Sequence, residues 1–253
     1  MKLARDTWLV FGRYMEIFLH NPWWVGVGVL QPVMYLVLFA PLLQSIASAP
    51  GFPRGGAYNV FVPGLIVQLG LFGASGVGFG LIAELREGVI ERLRVTPVSR
   101  LALLLGRAAR DLVTMLLQAI ILVVLSLPFG LTISLAGVGV MLLLLALIGL
   151  GFASLAYALA LALKSEDSYA PIMFSSTLPL LLLSGVLLPI TLAPGWLRAL
   201  AALNPLSYAV DAARAIFLGE LGQPSVAIGL GIMAVLAALA ATLAARSFGR
   251  AVA

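Results

Sequence analysis

Apolar residues in this chain gather into six long runs, at 23–43, 60–83, 101–127, 137–163, 170–190 and 226–245, and the intervening stretches hold most of the charges. Each run reaches the ~20 residues that a helix needs to cross a hydrocarbon core of about 30 Å. The runs are continuous rather than alternating, which excludes the strands of a membrane barrel. In the third, Arg107, Arg110 and Asp111 stand near the first end. Its apolar part therefore begins near Leu112, and the arginine stems are expected to snorkel towards lipid headgroups. The pattern predicts an all-α polytopic membrane protein, one domain over residues 1–253 with six transmembrane helices.

Two further segments are apolar on one side only. Over residues 1–22, at about 100° per residue, Leu3, Trp8, Val10, Phe11, Tyr14, Met15, Ile17, Phe18 and Leu19 cover one face. Lys2, Arg5, Asp6, Arg13, Glu16 and His20 take the other, with Leu9 the exception. That is the pattern of a helix lying in a membrane interface. Asn21-Pro22 ends it, and Trp23-Trp24 suit an aromatic belt. The 22-residue lead and the long run after it do not fit a signal peptide. His20 reads as a headgroup-facing or solvated side chain.

The second segment, 196–218, is long enough to be mistaken for a seventh span. Arg198, Asp211 and Arg214 would each cost about 2.5–3.5 kcal/mol near the bilayer centre. Its eight Leu, Val, Ile and Phe residues would return only about 0.3–0.6 kcal/mol each. Asn204-Pro205 reads instead as a helix start, Asn at the N-cap and Pro at N1. Residues 191–224 are thus expected to form short re-entrant helices on the outer side, between spans five and six.

Composition narrows the chemistry. At 62% hydrophobic and 10% charged residues, the chain is far from the composition of a soluble enzyme. It has no Cys and one His, which excludes thiolate chemistry, disulfides and histidine metal clusters. Lys2 and Lys164 are its two lysines and neither follows a glycine, so the phosphate-binding loop G-x-x-x-x-G-K-[ST] is absent. With both termini cytoplasmic, Lys2, Arg5, Arg13, Arg86, Arg92, Arg94, Arg100, Arg107, Arg110, Lys164, Arg246 and Arg250 fall inside. Arg54, Arg198 and Arg214 fall outside. Twelve of fifteen basic residues inside is a strong orientation signal.

No ionisable residue lies near a span centre; the main polar groups there are Gln68, Gln118, Ser75, Ser175, Ser176, Thr177 and Ser184. A proton-driven carrier would lack its titrating group, and an ion channel would need a more polar lining. The energy source is expected outside this chain. Small residues recur at four-residue spacing, as in Gly70-Ala74-Gly78, Gly76-Gly80, Ser154-Ala158-Ala162 and Ala237-Ala241-Ala245. Such stripes suit close helix packing, within the chain or between subunits. Between spans two and three, Leu85, Val89 and Leu93 predict a short amphipathic helix that stops at Pro97. Periodicity alone does not separate that helix from a solvated loop.

Here the chain resembles a family. The pattern Glu87-Gly88-x-x-Glu91-Arg92-Leu93-x-x-Thr96-Pro97, then Ser99-Arg100 and Leu105-Gly106-Arg107, resembles the cytoplasmic loop of type-2 ATP-binding-cassette (ABC) transporter permeases. Val89 departs from the Thr or similar residue usual there. Leu183-Ser184-Gly185-Val186-Leu187-Leu188-Pro189, Pro194-Gly195-Trp196-Leu197, Asn204-Pro205-Leu206-Ser207-Tyr208 and Asp211-Ala212-Ala213-Arg214 resemble the family's fifth span and outer re-entrant helices.

The resemblance implies a homo- or heterodimer of permeases in the bilayer, each protomer engaging a separate cytoplasmic ABC ATPase, with substrate passing between them. It implies that Glu84, Glu87, Gly88, Glu91, Arg92, Leu93, Thr96 and Pro97, within a coupling segment at 84–100, transmit ATPase closure. Spans two and five would line the substrate path, with Gln68, Phe72, Phe174, Thr177 and Leu181 as candidates. Asn204, Pro205, Tyr208, Asp211 and Arg214 would build the outer helices. ATP and Mg would belong to the partner, with no cofactor in this chain, no catalytic activity of its own and no nucleic acid partner. A bacterial or archaeal inner membrane is the expected location. The details most resemble multidrug exporters of the daunorubicin type, whose cargo is hydrophobic or amphiphilic. Export of a polysaccharide or lipid-linked glycan is the alternative within the class. A membrane-embedded enzyme is the alternative outside it, and would need a catalytic His, Asp or Glu near a span centre.

Overall fold

A computed structural model of the chain describes residues 2–21, 23–46, 56–88, 100–187 and 189–251. All regular structure among them is helical: α1 (Lys2–His20), α2 (Trp23–Ile46), α3 (Gly56–Arg86), α4 (Arg100–Ser126), α5 (Leu135–Leu163), α6 (Glu166–Leu183), α7 (Gly195–Ala201), α8 (Pro205–Phe217) and α9 (Pro224–Ala251), with single 3-10 turns at Leu127–Phe129 and Ile190–Leu192. The protein is an all-α membrane protein.

Local chemistry sets several boundaries. Ser134 caps α5 by accepting from the Gly137 amide at 3.0 Å, and α5 ends where Lys164 turns left-handed (φ 54°). Glu166 and Asp167 then open α6, where carboxylates favour the helix dipole. Asn204 caps α8, its Oδ1 accepting from the Leu206 amide at 3.0 Å, with Pro205 as the first helical residue. The turn at 202–204 breaks the apolar 196–218 stretch into α7 and α8, of 7 and 13 residues, both too short to cross a bilayer.

Helix α3 is the centre of the molecule. It is buried along most of its length and packs against α2, α4, α5, α6 and α8. Its small residues make that possible. A Cβ on Gly70 would lie 2.7 Å from Leu145 Cδ1, and one on Gly78 would collide with the Tyr169 ring. Gly64 has Val186 backbone against it in the same way. For these positions the small-residue stripe serves packing within the chain. α9 lies along α5 and α8, and α1 lies on α4 where Gly106 admits Val10.

Among the described residues, four helices, Gly56–Arg86, Leu105–Phe129, Leu135–Leu163 and Pro224–Ser247, are long and apolar enough to cross a membrane. A fifth is reached if Leu3–His20 and Val25–Phe39, bent by 68° against each other, are taken as one. Among the described residues the count of six spans is therefore not reached. α6 is 18 residues long, carries Pro171 and Pro179, and spends its first turn on two carboxylates. The two ends of the bundle differ in chemistry. At one, Arg86 pairs with Glu166 at 3.7 Å and Arg107 with Glu84 at 2.5 Å. At the other, Asn59 exchanges two hydrogen bonds with Thr132, at 2.9 and 3.1 Å.

Candidate functional site

The charged end is a connected cluster. Glu84, in the last turns of α3, receives the Tyr14 hydroxyl of α1 at 3.0 Å and the Arg107 guanidinium of α4. Arg107 lies 5.8 Å from the ring centres of both Tyr14 and Tyr157, a cation–π arrangement. Asp111 takes Arg110 at 2.6 Å on one oxygen and the Tyr157 hydroxyl of α5 on the other. Arg110 also sits over the Phe18 ring at 5.2 Å. Four helices meet here through side chains alone. Burial, and then the neighbouring Glu84 carboxylate, pushes the Tyr14 phenol up to about 12.

This cluster corrects two expectations. Arg107 does not snorkel to the headgroups: it is 8% exposed and turned inwards. Glu84 supplies the opposite charge there, and Gly80 leaves the room, since a Cβ on it would lie 2.5 Å from Arg107 Nη2. Asp6, grouped with the polar face of α1, is buried. That face is partly covered because α1 packs along α4. Trp8, Leu9, Ile17 and Leu19 of α1 remain exposed, as an interfacial helix requires.

Among the described residues, three cavities lie against α3, and one of them reaches the cluster. The largest, about 530 Å³, runs from Phe18, Arg107 and Arg110 along Gly80, Gly76 and Gly73 to Gln118. A second, about 190 Å³, is walled by Val27, Gly28, Gln31 and Pro32 of α2, Gln68, Leu69, Phe72 and Gly73 of α3, and Gln118 of α4. The third, about 120 Å³, lies between Phe72, Ser75, Gly76 and Phe79 on α3 and Met173, Phe174 and Thr177 on α6. Phe72 borders all three.

Four of the five candidate path residues therefore line these spaces. Gln68 is buried with its Oε1 lacking a partner, and Thr177 is buried with its hydroxyl 3.5 Å from Ser75 Oγ. Phe174 is exposed on α6. Leu181 is placed in the main apolar core, away from the three cavities.

Of the candidate coupling residues, Glu84, Glu87 and Gly88 are described, Gly88 in a left-handed conformation (φ 67°). Glu91, Arg92, Leu93, Thr96 and Pro97 lie outside the described residues. The outer-helix candidates are drawn together around α8. Asn204 donates to the Leu180 carbonyl at 2.7 Å, and Tyr208 donates to the Ala202 carbonyl at 2.9 Å. Arg214 reaches the Val60 and Gly185 carbonyls at 3.1 and 2.6 Å, with Asp211 4.0 Å away. Burial pushes the Arg214 guanidinium down to about 10, partly offset by Asp211.

Tyr14, Tyr157 and the α2 wall were not singled out from sequence. The available signal was Arg107, Arg110 and Asp111 inside an otherwise apolar run, with an acidic residue ending the run before it.

A family model for ABC-2 type transporters matches residues 5–218, most of the chain. The protein belongs to the ABC-2 type transporter family. It is similar to the putative transport permease ycf38 of Porphyra purpurea, 32% identical over 212 residues that cover 83% of this chain and 72% of the relative. It is also similar to ycf38 of Cyanophora paradoxa, 28% identical over 75% of this chain and 66% of that protein. A third relative is the daunorubicin resistance ABC transporter permease protein DrrB1 of Streptomyces coeruleorubidus, 27% identical over 246 residues, 93% of this chain and 83% of that protein. This chain is thus a transport permease of the ABC type, whose family implies an ATPase partner.

Proposed function

We propose that this permease is the membrane subunit of an exporter that moves a hydrophobic or amphiphilic small molecule out of the cell, using ATP and Mg in a separate ATPase subunit. The observation that carries this reading is the convergence of three cavities on Phe72, walled mainly by apolar groups with the amides of Gln31, Gln68 and Gln118, the hydroxyls of Ser75, Thr114 and Thr177, and, at one end of the largest, Arg107, Arg110 and Asp111. Apolar walls with a few placed polar groups suit such a cargo. The relative named for daunorubicin resistance supports the same class.

In this reading the chain crosses a bacterial or archaeal inner membrane six times with both ends cytoplasmic, as the distribution of basic residues favours. Two protomers form the path, with α3 and α6 towards the shared axis. Residues 84–97 receive the ATPase, and α7 and α8 dip into the outer leaflet. Vesicles holding the permease and its ATPase should accumulate daunorubicin, rhodamine or ethidium when ATP is added. Phe72→Ala and Phe174→Ala should each change the ranking of the three dyes by about tenfold, a loss of ~1.4 kcal/mol in recognition. Leu239→Ala, on the exposed side of α9, should not. ATP turnover without dye movement would overturn the export reading, and an unaltered ranking in both variants would overturn the path.

A further inference from the structure

A further cavity among the described residues borders no part of α3. It is about 190 Å³ and lies between α4 and α5, walled mainly by Leu105, Ala109, Met115, Leu150 and Ala153. α5 packs chiefly on α3 and α9, which leaves its side towards α4 partly open. Leu105 and Leu150 border the space and are both 40% exposed, so the crevice opens on the outer surface of the bundle. Asp111 borders it too, but its carboxylate is already met by the Arg110 guanidinium and the Tyr157 hydroxyl. What remains to a ligand is an apolar cleft.

Its depth and its back wall give it a direction. On α4 the crevice runs from Leu105 to Met115, about 15 Å at the helical rise per residue, or roughly half of the hydrocarbon core. In the proposed orientation that half is the cytoplasmic leaflet. Met115 closes the inner end and borders the 530 Å³ cavity on its other side. Its side chain is held between two glycines: a Cβ on Gly73 of α3 would lie 2.9 Å from Met115 Cε, and one on Gly149 of α5 would lie 2.9 Å from its Sδ. One unbranched thioether thus separates a cleft open to the bilayer from the largest internal space. Methionine changes rotamer and fills irregular gaps more readily than a branched side chain, so this wall can yield. A lipid chain resting in the cleft would need no such continuity, whereas an apolar cargo bound for the interior would.

We propose that the α4–α5 crevice is the entry site for hydrophobic cargo dissolved in the cytoplasmic leaflet, with Met115 as the movable partition between it and the 530 Å³ cavity. The entry role rests on the export reading; binding in the crevice does not. Ala109→Cys, in the otherwise Cys-free chain, reports on the crevice. Rhodamine added to the permease in phosphatidylcholine vesicles should slow its reaction with N-phenylmaleimide about fivefold. Leu143→Cys, exposed on α5 outside the crevice, should react at an unchanged rate. In vesicles that also hold the ATPase, Leu150→Trp should slow ATP-driven transport of membrane-loaded rhodamine about tenfold by closing the mouth. Leu143→Trp should not, and both should melt like the native protein. Met115→Ala should raise the rate per folded molecule about threefold by thinning the partition. Native transport that Leu150→Trp leaves untouched, or an unprotected Ala109→Cys, would overturn the entry site while leaving export intact; a crevice filled by a resident lipid chain gives the second result. A Met115→Ala rate at or below native would overturn the partition. ATP turnover with no rhodamine movement in the native protein would overturn the export reading and the entry role together.

Discussion

Glu84 and Arg107 meet at 2.5 Å across the α3–α4 crossing, five residues before the undescribed stretch 89–99 begins. Glu84 also holds Tyr14 of α1, so one carboxylate ties the entry of the coupling segment to two other helices. Removing one member of a buried pair strands its partner, at about 3–5 kcal/mol. Glu84→Gln should fall near the low end, because its side chain is one-fifth exposed. Glu84→Gln and Arg107→Gln combined should cost clearly less than the two single losses together, as expected for groups in contact. Thermal unfolding of the four proteins in detergent measures this, and additive losses would refute the coupling between them.

The segment after that pair is proposed as the ATPase contact. Leu85 itself packs against the inner apolar cluster; by helical spacing in the sequence, Val89 and Leu93 would offer the apolar side to a docking cleft, with Glu91 and Arg92 at a polar rim, where charge mainly governs recognition. Glu91→Lys should leave membrane insertion and expression normal but weaken co-purification of the ATPase and abolish export. Leu93→Asp should act more severely by placing a charge in the docking core. If both variants hold the ATPase and transport normally, the segment is a membrane-surface element.

Orientation is tested by cysteine labelling, which the Cys-free chain allows without background. Ser207 is a poor reporter despite its place in the outer segment: it is buried, and its hydroxyl donates to the Ala201 and Asn204 carbonyls. Gly222, exposed between α8 and α9 with open space around it, is better. Gly222→Cys should react with an impermeant thiol reagent on intact cells. Asp167→Cys, exposed at the start of α6, should react only after lysis. The reverse pattern would invert the topology.

Gly78 has no room for a methyl group. Its Cβ would enter the ring of Tyr169, which is itself fixed by a 2.8 Å bond from its hydroxyl to the Ser75 carbonyl and by an edge contact with Phe79. Gly78→Ala should destabilise by about 1–3 kcal/mol, while Gly76→Ala, with open space, should be nearly neutral. Equal melting temperatures for both variants would show that the α3–α6 contact is soft.

Much of the fold was legible in the residues. The runs at 60–83, 101–127, 137–163 and 226–245 became α3, α4, α5 and α9 with ends displaced by a few residues, and Asn204-Pro205 became the start of α8. Continuous apolarity and a cap are local properties, written where they act. The run that became α6 was less decisive, since Pro171, Pro179 and the Glu166–Asp167 pair lower its apolar length. Candidate path residues were legible as a set, yet Leu181 lies in the core while Gln31 and Gly28 of α2 line a cavity. Helical period places a residue on a face; it does not say whether that face meets a void or a neighbour.

By itself, then, the sequence determined a helical membrane protein with the motifs of an ABC permease, because hydropathy and motif add up along neighbouring positions. Only the tertiary structure decided that Arg107 turns inwards to Glu84, that Asp6 and Ser207 are covered, and that three cavities share Phe72. Those outcomes depend on which helices cross and how closely. Glycines 70, 78, 80 and 106 set that approach through side chains they lack, and their partners lie 27 to 96 positions away in the chain.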